Sequence, residues 1–496
     1  MAKLDLQSSS DLAQPEGGYL ISRRRAYVIF GVVSLALLMA SIDSTVVTVS
    51  LPAILTDLST TLAFVGWTLT GYQFAQSIIM PIGGKLSDEW GRKRLFMAAV
   101  SLFTISSIAA GLAPNIYFLI IFRIMQGLGG GIFMPSATGI ISDTFGKRRN
   151  TFIGLFASIF PIGGILGPNL GGFIVDNFSW RWIFFINVPI GILLLVLGML
   201  ILPGTKLPAV SNRRLDLIGA GLFSGAVLFI LYGMTNWANN PGDAGFLTWG
   251  LLGTGLIVLI VFVFHENRVS QPMIELNLLK WRPFLAANIY NFIFGAVVFG
   301  CFSFIPYYAT TAYGMTAGES GIILTPRAVA MIIVSALTSI FIIRFRYRLP
   351  MIVGIVTVSA GLFLLSRGFH GASLFGLRIN DLLLLALLVS LGGIGMGIAN
   401  PAANNAALDL IPEKTAAVAG LRGMFRATGG VFGTAVIVLI LSHFSDKGYG
   451  VQQIFLYFSL ILLVLIPLVF IIPDTARIRR DNAAKLSSGG KDFPHT

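Results

Sequence analysis

The feature that most restricts this chain is a series of fourteen apolar stretches joined by short polar loops. Each is close to the roughly 20 residues that a helix needs to cross the hydrocarbon of a bilayer. They cover residues 26–52, 62–84, 95–113, 117–141, 151–175, 182–203, 215–235, 247–265, 284–308, 319–343, 350–368, 381–408, 418–441 and 453–472. Hydrocarbon offers backbone N–H and C=O groups no partner, so such segments fold as helices, and an all-α polytopic membrane protein is expected. Only 11% of the 496 residues are charged, against about a quarter in soluble domains. A formal charge of +13 would suit a nucleic-acid surface, but little water-facing chain is left to carry one, and no nucleic-acid partner is expected. The single cysteine, Cys301, lies in an apolar run, and the four histidines lack HExxH spacing, so neither a disulfide framework nor a metal site is expected.

An even number of spans puts both termini on one side. Loops on that side hold 26 of the 34 Lys and Arg residues, and the opposite loops hold four: Arg181, Arg367, Arg378 and Lys447. By the positive-inside rule both termini are cytoplasmic. The first apolar run follows Arg23-Arg24-Arg25 and is too long for a signal-peptide core, so it reads as a retained span in the cell membrane. Four basic residues remain, Arg123, Arg327, Arg422 and Arg426, within or at the ends of spans.

The chain also repeats itself. At an offset of 266 residues, Gly127 to Gly167 matches Gly393 to Gly433 without gaps at twelve positions, among them Pro135 on Pro401 and Asp143 on Asp409. Spans four and five thus fall on spans twelve and thirteen. The implied division is 6+2+6: a six-helix bundle at 26–203, two inserted helices with linkers at 204–283, and a second bundle at 284–472, flanked by cytoplasmic tails at 1–25 and 473–496. The two halves are parallel repeats about an axis along the membrane normal, with a mid-membrane cavity expected between them. Spans seven and eight, free of buried charge, are expected to be peripheral.

Two segments carry the letters of moving parts. After span two the chain reads Gly84-Lys-Leu-Ser-Asp88-Glu-Trp-Gly91-Arg92-Lys93-Arg94. Gly84 and Gly91 permit a tight turn and close helix approach, Asp88 can pair with an arginine such as Arg148, and the basic run holds the loop at the inner lipid surface. A plain turn with orientation charges reads the same letters. In span five, Gly163, Gly167 and Gly171 recur every four residues, as do Gly164, Pro168 and Gly172. The result is two adjacent strips nearly free of side chain, with a proline bend, against which another helix can pack closely and slide. Static small-residue packing is the alternative. Span thirteen keeps the glycines but has Thr434 in place of Pro168.

The loop after span two, Arg123-Ile-Met-Gln126-Gly127 in span four and Gly167-Pro168-Asn-Leu-Gly171-Gly172 in span five resemble motifs of the major facilitator superfamily, and the last is similar to its antiporter motif. Asp43-Ser-Thr-Val-Val-Thr-Val-Ser-Leu-Pro52, Ser179-Trp-Arg-Trp-Ile-Phe-Phe-Ile-Asn187-Val-Pro189 and Arg426-Ala-Thr-Gly-Gly-Val-Phe-Gly433, with fourteen spans, resemble the EmrB/QacA type of drug:proton antiporter, over about residues 26 to 475. The resemblance implies the major facilitator fold and a monomer that needs no cofactor beyond the proton gradient. It implies conformational gating by Gly84, Asp88, Gly91, Arg92, Gly163, Gly167, Pro168, Gly171 and Gly172.

A charge inside a span costs several kcal/mol unless it is paired or hydrated, so each one is a functional candidate. Asp43 is the only acid well inside a span, about 26 Å from its inner end at 1.5 Å per residue. Asp43 and Arg123 are the expected proton-coupling pair: burial opposes the carboxylate charge, Arg123 supports it, and a change of access tips the balance. A permanent structural pair is the alternative. Arg422 is expected to snorkel to the inner surface while Arg426 points inward. Gln73, Gln76, Gln126, Arg327, Asn400, Asn404, Asn405 and Arg426 are candidates to line a substrate cavity, although hydrogen bonding between helices would use the amides equally well. The expected partners are the bilayer, protons and a small lipophilic or amphiphilic substrate. The expected function is proton-coupled export by alternating access. The arginine excess raises an alternative, an exporter or flippase of an anionic or zwitterionic lipid or metabolite. A transport-inactive receptor would need a signalling domain, yet no loop exceeds about twenty residues, and no His/Asp or Ser/His cluster suggests an enzyme.

Overall fold

Every apolar stretch is helical in the computed structural model, which describes residues 22–474 apart from 205–215, 271, 372, 375–376, 379 and 412–414. In chain order, α1 is Arg23–Asp57, α2 Leu62–Trp90, α3 Arg92–Gly111 and α4 Ile116–Phe145. α5 runs as Arg149–Ala157 and Ile159–Asn177, and α6 as Trp182–Phe185 and Asn187–Ile201. α7 is Leu217–Asn239 and α8 Phe246–Glu266. α9 joins Arg282–Gly295, a π turn at Ala296–Cys301, and Ile305–Tyr313. α10 joins Ala317–Ile322 and Leu324–Phe345, α11 is Arg348–Leu365, α12 Asp381–Leu410 and α13 Thr415–Ser442, and α14 joins Lys447–Leu463 and Leu465–Ile471. Among the described residues thirteen helices are long and apolar enough to cross a bilayer. The 29 residues of α2 give it the length, but Gln73, Gln76 and its threonines make it more polar. A two-residue antiparallel ladder pairs Ser373 with Arg378 between α11 and α12.

Several helices run past the apolar stretch that announces them, because capping groups carry the backbone hydrogen bonding onward. The Asn115 side chain accepts the Phe118 N–H at the start of α4, Asp446 does the same for Tyr449 in α14, and Thr316 with Glu319 forms a capping box on α10. Gly91, at φ 90°, makes the turn from α2 to α3, a conformation that side chains rarely adopt. The end of the helix assembly at which the described chain starts and stops is its near end, and the opposite one is its far end.

The apolar cores divide between two bundles, two clusters lying within α1–α6 and one chiefly within α9–α14. In the first bundle, α1 packs on α5, α4 on α2 and α3, and α3 on α6. In the second bundle, α9 packs on α13, α12 on α10 and α11, and α11 on α14, so the pairings repeat in the same order. Lipid tails are as apolar as leucine, so tight helix contact rather than water exclusion holds such bundles together. Missing side chains make that contact possible. Gly163 and Gly167 of α5 lie on Ser41, Ile42 and Thr45 of α1, and Gly429 and Gly433 of α13 lie on the Phe292 and Ala296 carbonyls of α9.

The inserted pair is only half peripheral, contrary to expectation. α8 turns Leu256, Ile257 and Phe264 outward. α7, however, lies along the seam between the bundles and touches both. Trp67 of α2 donates its ring N–H to Thr235 at 2.7 Å, Thr61 donates to Asn239 at 2.7 Å, and Phe223, Val227 and Leu231 share an apolar cluster with Leu421 and Met424 of α13. The segment after α8 is pinned to the protein, since the buried Glu266 carboxylate accepts the Met273 and Ile274 N–H groups at 3.3 and 2.9 Å.

Candidate functional site

Asp43 of α1 and Arg123 of α4 are both 0% exposed and meet at 2.6 Å, Nη1 to Oδ2. The other carboxylate oxygen accepts the amides of Gln126 and Asn187 at 2.7 and 2.8 Å, and both amides also donate to Ser107 Oγ, at 2.8 and 3.0 Å. Arg123 donates further to Gln126 Oε1 at 2.6 Å and to the Thr68 carbonyl at 3.0 Å, with its guanidinium 4.2 Å above the Tyr72 ring. Five helices, α1, α2, α3, α4 and α6, thus converge on one carboxylate. Glycines of α4 bring them together: a Cβ on Gly127 would stand 3.0 Å from Tyr72 Cα, and one on Gly129 would stand 2.8 Å from the Ala99 carbonyl. Gln126, a cavity candidate from the sequence, is fully buried inside this network, with both ends of its amide hydrogen-bonded there.

The second bundle holds the other three span arginines, and none of them pairs with a carboxylate among the described residues. Arg422 points inward instead of snorkelling. Its Nε donates to Asn291 Oδ1 of α9 at 3.2 Å and its Nη1 to Asn404 Oδ1 of α12, two acceptors deep in the bundle that outcompete the surface. Arg426 lies 5.2 Å over the Phe299 ring, within the π turn of α9, and Arg327 lies 4.8 Å over Phe302, the residue after it. The Nε atoms of Arg327 and Arg426 are buried without a hydrogen-bond partner. Arg327 therefore stands apart from Asp43. Asn400 and Asn405 on α12 and Gln73 and Gln76 on α2 are half-buried and stay outside both networks.

The two small-residue strips of α5 meet different partners. Gly163, Gly167 and Gly171 pack on α1 throughout. The other strip crosses the seam to α10 at its far end only, where Gly172 abuts Ala317 and Gly318, and Gly321 abuts Pro168. At Gly164, on the same strip toward the near end, nothing lies within 4 Å of a Cβ position. Asp176 latches the closed far end, its carboxylate accepting the Ala317 and Gly318 N–H groups at 3.1 and 2.7 Å, and Asn169 donates to Thr325 at 2.7 Å. At the near end Arg92 pairs with Asp143 of α4 at 2.9 Å and donates to the Gly139 carbonyl. The repeat-related Asp409 of α12 accepts from Tyr347 at 2.7 Å. The Asp88 side chain, expected near Arg148, lies outside the described residues. Gly84 meets nothing closer than 3.9 Å, while Gly83 beside it packs at 3.4 Å on Ile132 and Pro135, so the close approach falls one residue earlier than expected.

A family model described as the Major Facilitator Superfamily matches residues 33–266 and 287–492, breaking only at the segment after α8. The chain belongs to this superfamily. Two relatives align with most of this chain at about 30% identity. The multidrug transporter protein MdtP of Bacillus subtilis is 30% identical over 421 residues, covering 84% of this chain and 76% of its own. The tetracenomycin C resistance and export protein of Streptomyces glaucescens is 31% identical over 417 residues, covering 84% and 76%. Among solved structures, a transporter of the POT family aligns with a TM-score of 0.67 at 13% identity, over 94% of this chain and 99% of its own. A bacterial homolog of the human lysosomal transporter Spinster aligns with a TM-score of 0.66 at 17% identity, over 92% and 99%. At such identities they establish the fold alone, while the family and the two relatives mark the chain as a transporter and not an enzyme.

Within this superfamily fold the sequence pattern left Asn187, Ser107 and Tyr72 unrecognised as partners of the Asp43–Arg123 pair. Asn187 stands in the Ser179–Pro189 motif, the one signal that pointed toward it. Asn187→Leu removes one donor from Asp43 and leaves Ser107 with a single partner. A loss of about 1–3 kcal/mol is expected for such a buried defect, to be read in the thermal unfolding of the purified protein.

Proposed function

We propose that this protein is a proton-coupled secondary active exporter of lipophilic or amphiphilic compounds, working by alternating access from the cell membrane. In this reading fourteen spans are arranged 6+2+6, with the near end and both termini cytoplasmic, in keeping with the distribution of Lys and Arg. It needs no cofactor beyond the proton gradient. The observation that carries the reading is the fully buried Asp43 network: one carboxylate whose only charged contact among the described residues is Arg123. Uptake of a proton by Asp43 cancels that attraction, and Arg123 keeps the Thr68 carbonyl and the Tyr72 face as neutral partners. Helices that the ion pair holds together are then free to change their spacing, which ties proton binding to a change of access. The closed far seam and the splayed near seam between α5 and α10 fit the inward-facing member of such a cycle. The export names of the relatives support the direction of transport.

The test is uptake into inside-out proteoliposomes with an acidic lumen, screening cationic dyes against anionic lipids and detergents. Driven uptake that collapses on adding a protonophore is expected for at least one class. If no compound moves with the gradient, the exporter reading fails.

A further inference from the structure

The proton network occupies one bundle, while the other holds positive charge with nothing to balance it. Resting on the exporter reading, we propose that Arg327, Arg422 and Arg426 bind the anionic head of an amphiphilic substrate, a carboxylate, phosphate or sulfonate, whose apolar body lies along the aromatic side of α9. Charge is the first argument. The first bundle's deep charges cancel, Asp43 against Arg123, whereas the three arginines of the second face only amide oxygens and rings among the described residues. Guanidinium groups held at this depth without counter-charge are costly, and such charges mark substrate pathways.

Geometry is the second argument. A guanidinium lying over an aromatic face is held and partly desolvated, but its N–H groups point outward in the plane of the group, where a ring supplies no acceptor. Arg327 of α10 over Phe302 and Arg426 of α13 over Phe299 are held in this way, and the Nε of each still lacks an acceptor. Planar N–H forks fit an oxyanion through paired charge-assisted hydrogen bonds. Arg422, one turn before Arg426, is fixed by Asn291 and Asn404 and adds a third positive charge. The hydroxyl of Tyr290, also fully buried on α9, is likewise unpaired. The π turn at Ala296–Cys301 is the third observation, since single wide turns of this kind concentrate at functional sites. A lipophilic cation would have to approach three like charges held on half-buried side chains.

The experiment uses the full-length purified protein and three probes of one shape: a naphthyl-alkyl sulfonate, its sulfonamide and its trimethylammonium analogue. Short-chain phosphatidylglycerol forms a fourth arm. A sulfonate keeps its charge at every pH used, so weak-acid leakage cannot mimic transport. The sulfonate is expected to bind at least about tenfold more tightly than the sulfonamide, with the ammonium probe not competing. Arg327→Gln and Arg426→Gln are each expected to lower sulfonate affinity by about tenfold or more and to leave the sulfonamide unchanged, while Arg426→Lys keeps part of the preference. Competition by phosphatidylglycerol would identify a lipid headgroup as the natural anion, and its failure to compete would point to a soluble acid. Equal binding of the three naphthyl probes to the unmodified protein overturns the site, whatever happens to the folding of the variants. Driven uptake of all three without preference overturns the site and leaves the exporter reading standing. Arginine-dependent sulfonate binding without any gradient-driven uptake does the reverse.

Discussion

Asp43→Asn is expected to yield a protein that binds substrate and cannot concentrate it. The amide cannot satisfy its surroundings in either orientation. With its oxygen toward Arg123, its NH2 faces the Gln126 and Asn187 donors, and with its oxygen toward those two it turns a donor to the guanidinium. Arg123 is left as a buried charge without a counter-charge, at a cost of about 3–5 kcal/mol in stability. Gradient-driven uptake should fall by about 100-fold or more, roughly 3 kcal/mol of barrier, while binding measured at equilibrium persists. A permanent structural pair would behave differently once both partners are removed. The double variant Asp43→Asn with Arg123→Gln should recover stability because no lone charge remains, and it should still fail to transport. Recovery of both together would reduce the pair to a structural role.

Gly172→Val is expected to hold the far seam open. Its Cβ would come within 2.7 Å of Gly318 Cα and 2.9 Å of the Ala317 carbonyl carbon, both backbone atoms that cannot rotate aside. α5 and α10 must part there, and the Asp176 latch on the Ala317 and Gly318 N–H groups is lost with them. Spin labels on Phe178 and Thr311, with the buried native Cys301 unreactive between them, should report a longer far-end distance. Gly164→Val, eight residues earlier on the same strip, meets open space in this state and obstructs only a closed near seam. It should bias the protein the other way, toward the far-closed form. An unchanged distance distribution in both variants would mean that this strip takes no part in changing access.

How much of this was legible in the sequence depends on how far each property is local. The helices were, because twenty apolar residues in hydrocarbon have one way to satisfy their backbone. Asp43 and Arg123 were legible because a bilayer makes charged residues rare enough to stand out. Their neutral partners were not, since Ser107 and Asn187 are polar letters of a common kind until three helices meet around them. Gln126 shows the cost of ignoring periodicity: at three residues after Arg123 it shares that helix face, which argued for the network over the cavity. The direction of Arg422 could not be read at all, because a long side chain near a helix end goes where acceptors are, and Asn291 and Asn404 become neighbours only on folding. The two strips of α5 were visible as strips. Which helix each one meets is a property of the assembled pair of bundles.

The placement of α7 makes the molecule unequal from side to side. One seam, between α2 and α13, is covered by α7 with α8 packed behind it, whereas at Gly164, on the α5 strip that meets α10 at its far end, no described residue lies within 4 Å of a Cβ position. In the proposed export cycle, a compound dissolved in the membrane would therefore not meet two equivalent flanks. It would find open the flank at Gly164, at a depth that belongs to the inner leaflet in the proposed orientation. On the proposed function, α7 and α8 would thereby decide from which direction a hydrophobic molecule slips sideways into the protein.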